Sequence, residues 1–420
     1  MRLKDWDRNL KVRLFGESIM NISYWMFFPF LTIYFADEFG KNKAGFLLIF
    51  SQVFSVLANL MGGYCADRFG RKRMLVLSSI GQGLAFLTFA IAGSPWFRSP
   101  WLGFVAFSIA GVFGSLYWPA SQAMVADVVA EKNRSEVFAV FYTSINIAVV
   151  VGPLIGAIFF EDYRFQLLFA AGIICLLLGL TLAKWTRETK PVRNTISTDH
   201  AGKWYYFLQN QLKDYSLISK DKTFLLYILA GILVGQTFVQ LDLLLPVYIK
   251  DVLKSETLFS TVTVKGAQVF GIVLAENGLL VALLTVWVTK WMEQFYERNV
   301  FMLSSIIYAV SVVFFSLTHS FWGFVLAMAI YTFGELTSTG IQQGFVSKLA
   351  PEHMRGQYFA ASSLRWTFSR MIAPIFIPMT AWIGYGWTFF ILALLAILSA
   401  GLYWVMFYLF EKRKFSLSSV

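Results

Sequence analysis

Apolar runs of about 20 residues recur along the whole chain, each closed by a short polar turn. They fall near 14–36, 44–66, 74–94, 101–125, 136–160 and 165–186, then 223–249, 268–290, 299–318, 321–345, 358–383 and 386–410. A helix rises about 1.5 Å per residue, so a run of this length crosses the roughly 30 Å of hydrocarbon in a bilayer. The pattern predicts an all-α membrane protein with twelve transmembrane helices in two six-helix lobes. Backbone polar groups have no water to bond in lipid, so a charged turn of a few residues is tolerated only where both flanking runs span. The turn from Gly63 to Lys72 is of that kind. Between the two sets lies 187–222, the longest polar stretch, which carries Arg187, Lys190, Arg193, Lys203, Lys213, Lys220 and Lys222. The expected domains are therefore a lobe over 1–186, a cytoplasmic linker over 187–222 and a lobe over 223–420. Within the linker, Trp204 to Ile218 mixes aromatics with Lys and Gln, the composition of a helix lying at the membrane surface.

Composition narrows the class further. Of 420 residues, 57% are hydrophobic, 14% charged and 43 are Phe, more apolar surface than a soluble fold of this size buries. The net charge of +11 is scattered over short loops rather than gathered in one domain, which points away from nucleic acid and toward membrane topology. With the N-terminus inside, 26 of the 35 Lys and Arg fall on the cytoplasmic side and 7 outside. That excess places both termini in the cytoplasm of a multi-pass cell-membrane protein. Cys65 and Cys175 lie in apolar runs, so neither a disulfide nor a metal site is indicated. The amphipathic start from Met1 to Arg13 leads directly into a span, without the form of a cleavable signal. The histidines His200, His319 and His353 are far apart, and no nucleophile–base–acid set, metal spacing or phosphate-binding glycine loop occurs. An enzyme is not expected, nor a cofactor, nor an oligomer.

The halves repeat. Offset by 221, Glu131 to Ala139 aligns with Glu352 to Ala360 and Pro153 with Pro374; offset by 226, Leu77-Ser78-Ser79-Ile80 aligns with Leu303-Ser304-Ser305-Ile306. The order of the matches argues for duplicated lobes, which place a cavity between them near the bilayer midplane and work by rocking.

Ionisable groups inside hydrocarbon cost roughly 2.5–3.5 kcal/mol each on insertion scales, so each one invites a functional reading. Glu17, Asp242, Glu276, Glu335 and Arg370 stand inside the apolar runs. Counted from the segment ends, Glu17 lies about one turn from the cytoplasmic face, Asp242 and Glu276 in the outer half, and Glu335 and Arg370 near the middle. A carboxyl group in a low-dielectric cavity favours its neutral acid, takes a proton near neutral pH and releases it when a cation arrives. That is the physical basis for exchanging protons against a substrate, with Glu335 first and Asp242 second as carriers. A static Glu335–Arg370 pair, a solvated vestibule position for Asp242 or Glu276, and backbone or water contacts for Glu17 are the bland alternatives. Arg365, five residues from Arg370 and therefore on another face, is expected to snorkel to the cytoplasmic end. Tyr24, Phe28, Gln52, Tyr117, Trp118, Gln122, Asn146, Gln236, Gln240, Asn277 and Trp366 complete the candidate cavity lining. Rings, amides and one or two carboxylates suit a lipophilic cation.

The turn itself, Gly63-Tyr64-Cys65-Ala66-Asp67-Arg68-Phe69-Gly70-Arg71-Lys72, resembles the cytoplasmic loop signature G-x-x-x-D-R-x-G-R-K of the major facilitator superfamily. It also lies where that family places it, between the second and third spans. The resemblance implies a gating role for Gly63, Asp67, Arg68, Gly70 and Arg71, with Asp67 on the N-terminal amides of a neighbouring helix and Asp127 as partner of Arg71. The equivalent loop of the second half, Lys290 to Arg298, lacks both glycines. Gly152-Pro153-Leu154-Ile155-Gly156 resembles part of the superfamily's antiporter motif, where proline and close glycines make a kink and a tight contact. Ala148 stands where the motif has a further glycine. No arginine in Phe104 to Phe113 matches the fourth-helix arginine of many proton-coupled drug exporters. Gly334-Glu335 and Ala350-Pro351-Glu352-x-x-Arg355-Gly356-x-Tyr358 resemble drug:proton antiporters of the LmrP type. This implies export of small amphipathic, often cationic compounds driven by protons. The alternatives are proton-coupled uptake of peptides or other solutes, a lipid flippase, and a membrane protein that transports nothing. The first helix resembles the peptide-transporter signature E-x-x-E-R-F-x-Y-Y only in part, with Met20 and Asn21 in place of its second acid and its arginine.

Overall fold

The computed structural model describes residues 3–189, 221–258, 262–350 and 355–418. The surface helix expected within Trp204 to Ile218 and most of the inter-lobe stretch lie outside the described residues. The helices are α1 (Arg8–Trp25), α2 (Leu31–Phe69), α3 (Arg71–Ala92), α4 (Pro100–Val128), α5 (Glu131–Trp185), α6 (Lys222–Val239), α7 (Leu244–Val252), α8 (Gly266–Met292), α9 (Glu297–Leu317), α10 (Phe321–Leu349), α11 (Arg355–Ser362), α12 (Leu364–Ile372) and α13 (Phe376–Ser418). Among the described residues, eight uninterrupted stretches are long and apolar enough to cross a membrane. Three of the longest contain a residue with non-helical dihedrals, at Gly40, Tyr163 and Gly384. Gly40 and Gly384 have φ of 75° and 79°, the left-handed region in which a Cβ is strained and glycine is at home.

The chain divides into two compact units, one of Met1–Asp199 with Phe270–Ala275, the other of His200–Val269 with Glu276–Val420. In the first, α3 packs on α4 and α5, α1 on α5, and α2 on α4. Its core includes Met74, Leu75, Tyr117, Met124, Leu178 and Leu182. In the second, α9 packs on α10 and α13, and α6 on α12 and α13. Tyr227, Phe301, Phe345, Tyr403 and Phe407 form a buried aromatic cluster there. Outside these cores the surface is apolar: Phe15, Leu283, Val286 and Leu317 are each more than 60% exposed. Such a surface matches lipid rather than water as solvent.

The structure departs from the apolar pattern in three places. The run 14–36 is broken by a 3₁₀ turn over Phe28–Phe30, where Pro29 removes a backbone donor. The run 223–249 is split between α6 and α7 at 240–243, and the run 358–383 is split into α11, α12 and α13 around Pro374. An antiparallel hairpin of β1 (Ser255–Leu258) and β2 (Val262–Lys265) joins α7 to α8. It does structural work, because Glu256 Oε2 accepts from the backbone N–H of Phe321 at 2.7 Å and so caps the start of α10.

Candidate functional site

The first unit encloses a cavity of about 280 Å³ lined by Arg13, Glu17, Asn21, Tyr117, Trp118 and Gln122 together with Phe138, Phe141 and Tyr142. Glu17, predicted near the cytoplasmic end, is buried in its wall. Its Oε1 accepts from Arg13 Nε at 2.7 Å and from the Tyr117 hydroxyl at 2.7 Å. Arg13 is 1% exposed; its Nη1 donates to the Ser121 carbonyl at 2.9 Å, its Nη2 donates to the Ser121 hydroxyl, and its guanidinium lies 5.1 Å from the Phe141 ring centre. Sequence reasoning missed Arg13 because it sits at the edge of the first apolar run and counts there as a topogenic charge. The signal available was its i,i+4 spacing to Glu17, which puts both side chains on one helix face. Trp118 and Gln122, expected in a cavity between the lobes, line this cavity within the first unit. Tyr24, Gln52 and Asn146 are half-buried and lie outside it, Tyr24 stacking on Phe28 with ring centres 4.6 Å apart.

In the second unit, Glu335, Asp242 and Glu276 are all partly buried. Asn277 Nδ2 donates to Glu335 Oε2 at 3.0 Å and to the Thr332 hydroxyl at 3.0 Å, which joins α8 to α10. Asp242 sits in the non-helical link between α6 and α7. Glu276 Oε2 has no hydrogen-bond partner among the described residues. Gln236 and Gln240, expected in the lining, are buried: Gln236 Nε2 donates to the Ile232 carbonyl at 3.2 Å and Gln240 Nε2 to the Ala373 carbonyl at 3.2 Å.

Arg370 is exposed and makes no ion pair with Glu335 among the described residues, whereas Arg365, expected to snorkel to the cytoplasmic end, is 9% exposed and lines a small cavity with Trp366. Gly231 explains the burial of Arg365: a Cβ there would stand 2.6 Å from Arg365 Cδ, so the missing side chain leaves a slot for the arginine stem.

The basic turn is rebuilt around Arg71. Its Nη2 lies 2.9 Å from Asp67 Oδ1, its Nε 2.9 Å from Asp127 Oδ2, and its Nη1 donates to the Ala66 carbonyl at 3.0 Å. Asp67 was expected on the N-terminal amides of a helix, but its side chain is 70% exposed and Glu188 takes that position. Glu188 Oε1 accepts from the Arg71 N–H at 2.8 Å and the Lys72 N–H at 3.3 Å, so an acidic group from after α5 sits at the positive end of α3. Gly70, with φ of 102°, lets the carboxylate approach, since a Cβ there would collide with it. Arg68, expected to take part in gating, donates through Nη1 to the Tyr64 hydroxyl at 2.6 Å. At Gly63 a Cβ would meet open space.

Gly152 and Gly156 face the end of α1 within the first unit. A Cβ on Gly152 would stand 2.5 Å from Trp25 Cβ, and one on Gly156 would collide with the Met26 carbonyl. Pro153, between them, lies inside α5. Tyr358 donates to Asp221 Oδ2 at 3.0 Å while Asp221 Oδ1 caps α6 through the Thr223 and Phe224 amides. The Pro351 and Glu352 of that motif lie outside the described residues.

Residues 14–374 and 266–418 match the profile of the Major Facilitator Superfamily. A protein of Planococcus maritimus named Na(+), Li(+), K(+)/H(+) antiporter is 58% identical over 419 residues, which is 98% of this chain and 99% of its own. The multidrug resistance protein MdtH of Escherichia coli (strain SE11) is 22% identical over 379 residues, 90% of this chain and 85% of its own. A POT family transporter solved in complex with 5-aminolevulinic acid superposes with a TM-score of 0.76 at 17% identity, over 97% of this chain and 96% of that one. At that identity the likeness shows the fold.

Proposed function

Because the chain belongs to the Major Facilitator Superfamily, whose members are transporters, we propose that it exchanges alkali cations for protons across the cell membrane. The 58% identity to a Na(+), Li(+), K(+)/H(+) antiporter over 98% of the chain carries this reading. The chemistry of the second unit suits it. Alkali cations prefer hard oxygen ligands, and Asp242, Glu276 and Glu335 supply carboxylates that hold either a proton or a cation. Asn277 Nδ2 donates to Glu335 Oε2 at 3.0 Å and so orients a carboxylate that can take up a proton or a cation. Exchange is then competition: a proton that binds displaces the cation, and the reverse on the other side. With α1 and α2 up to Gly40 read as one interrupted span, α6 and α7 as another, and α11, α12 and α13 up to Gly384 as a third, the break at Tyr163 makes twelve spans in two six-helix lobes. The linker and both termini are cytoplasmic. The Arg71–Asp67–Asp127–Glu188 cluster favours one side of the rocking equilibrium, and the tight contacts of Gly152 and Gly156 hold α5 against α1.

Export of amphipathic organic cations, the activity of the drug:proton branch, is a second reading. The 280 Å³ aromatic cavity beside Glu17 favours it, being far larger than a bare alkali ion requires. Peptide uptake and lipid flipping have weaker support, because the first helix lacks the second acid and the arginine of the peptide signature. The test is a pH-indicating dye in everted membrane vesicles energised to an acid interior. Addition of Na⁺, Li⁺ or K⁺ is expected to raise the interior pH with wild type and not with Glu335→Gln. A response of equal size in vesicles without the protein rules the reading out.

A further inference from the structure

The second unit holds a buried cation that the exchange of alkali ions does not use. The guanidinium carbon of Arg365 lies 5.1 Å from the Tyr227 ring centre and 5.5 Å from that of Trp366. The rings engage the faces of the guanidinium, so its in-plane N–H groups remain to be satisfied. Nε makes no hydrogen bond among the described residues, and none of the ion pairs among them includes Arg365. Two more buried groups nearby share this condition: the hydroxyls of Tyr227 and Tyr403, residues 0% and 1% exposed, have no hydrogen-bond partner there. The cavity at this place is lined by Arg365, Tyr403, Ser304, Ser305 and Gln342 and measures about 40 Å³. That exceeds the roughly 10–15 Å³ that one water-sized occupant requires.

Nε of Arg365 can only donate, and each tyrosine hydroxyl has a hydrogen to donate as well as an oxygen that accepts. Ser304 already donates to the Gly334 carbonyl at 2.7 Å and Ser305 to the Phe301 carbonyl at 3.1 Å, so the free hydrogens at the cavity are those of Arg365 and the tyrosines. Donors grouped around a guanidinium that makes none of the ion pairs among the described residues attract negative charge, and a buried charge without a counter-charge is costly. We propose that this cavity binds one monovalent inorganic anion of chloride size, held by Arg365 and the Tyr403 hydroxyl. The cavity is too small for a peptide or a drug carboxylate. The site is independent of the alkali-cation reading.

The experiment is thermal unfolding of the purified full-length protein at fixed Na⁺ while gluconate is replaced by chloride or bromide. Wild type is expected to gain stability along a saturating curve with either halide. Tyr403→Phe, which removes one hydrogen bond to the ion, is expected to raise the half-saturating concentration about 5- to 10-fold. Arg365→Gln is expected to abolish the effect, and Arg98→Gln, at an exposed arginine of the first unit, to leave it unchanged. Coincident chloride and gluconate curves for wild type overturn the proposal and assign the cavity to water. Overturning it equally is a half-saturating chloride in Tyr403→Phe that equals wild type. If Arg365→Gln does not fold, the wild-type halide series and Tyr403→Phe still decide.

Discussion

Glu17→Ala removes one half of the buried pair at the head of the first unit, and the structure sets the size of the effect. Arg13 is 1% exposed and, once the carboxylate is gone, keeps the carbonyl and hydroxyl of Ser121 and the face of Phe141, none of which carries a counter-charge. Leaving one buried charge without its partner costs about 3–5 kcal/mol. The adjoining 280 Å³ cavity admits water to the orphaned group, which places the expectation near the lower end, about 3 kcal/mol. Glu17→Gln keeps an oxygen for Arg13 and Tyr117 but exchanges charged hydrogen bonds for neutral ones, worth about 1–2 kcal/mol less. In a unit of this size each kcal/mol moves the melting temperature by roughly 2–4 °C, so Glu17→Ala is expected to lose roughly 6–12 °C. The paired change Arg13→Met with Glu17→Leu removes both charges together and is expected to recover most of that loss, a coupling above about 2 kcal/mol. Thermal unfolding of wild type, Glu17→Ala, Glu17→Gln, Arg13→Met, Glu17→Leu and the Arg13→Met with Glu17→Leu double variant in one detergent, followed by the remaining monodisperse fraction, measures it. A Glu17→Ala shift below 2 °C, or a double variant as unstable as the sum of the singles, refutes the reasoning.

The remaining predictions concern the packing, the basic turn and the exchange. Gly156→Ala drives a methyl group into the Met26 carbonyl and is expected to destabilise the first unit by about 1–3 kcal/mol, read in the same unfolding assay. Asp127→Asn removes a charged partner 2.9 Å from Arg71, and Glu188→Gln removes the carboxylate at the start of α3; each is expected to lower the exchange rate more than the amount of folded protein in the membrane. Since protons and cations compete for the same carboxylates, the apparent KM for Na⁺ is expected to fall as the pH on the cation-binding side rises, measured by dye response at stepped pH. An apparent KM that rises with pH contradicts the competition.

The apolar runs made the helical membrane class legible, because lipid forces every span to be long, apolar and internally hydrogen-bonded. Where runs such as 223–249 break, the cause is a local demand: the link around Asp242 leaves the helix although its neighbours are apolar, and hydropathy does not register that. The position of Asp127 at the cytoplasmic end of the fourth span made it a candidate partner for Arg71, and the two stand 2.9 Å apart. Glu188 was not legible, since it lies 117 residues from its partner Arg71 and after a different helix. Arg365 and Arg370 show the limit of reading one helix alone. Their spacing fixes that they face apart, but which one is buried depends on the slot at Gly231, a feature of the partner helix.

The most direct test of alkali-cation exchange is uptake of ²²Na⁺ by the purified protein in liposomes whose interior is more acidic than the bath. Wild type is expected to accumulate the isotope only while the pH gradient stands, and Asp242→Asn, Glu276→Gln and Glu335→Gln to lose much of that accumulation, Glu335→Gln the most. Accumulation that ignores the gradient, or survives with all three carboxyl groups converted to amides, contradicts the account.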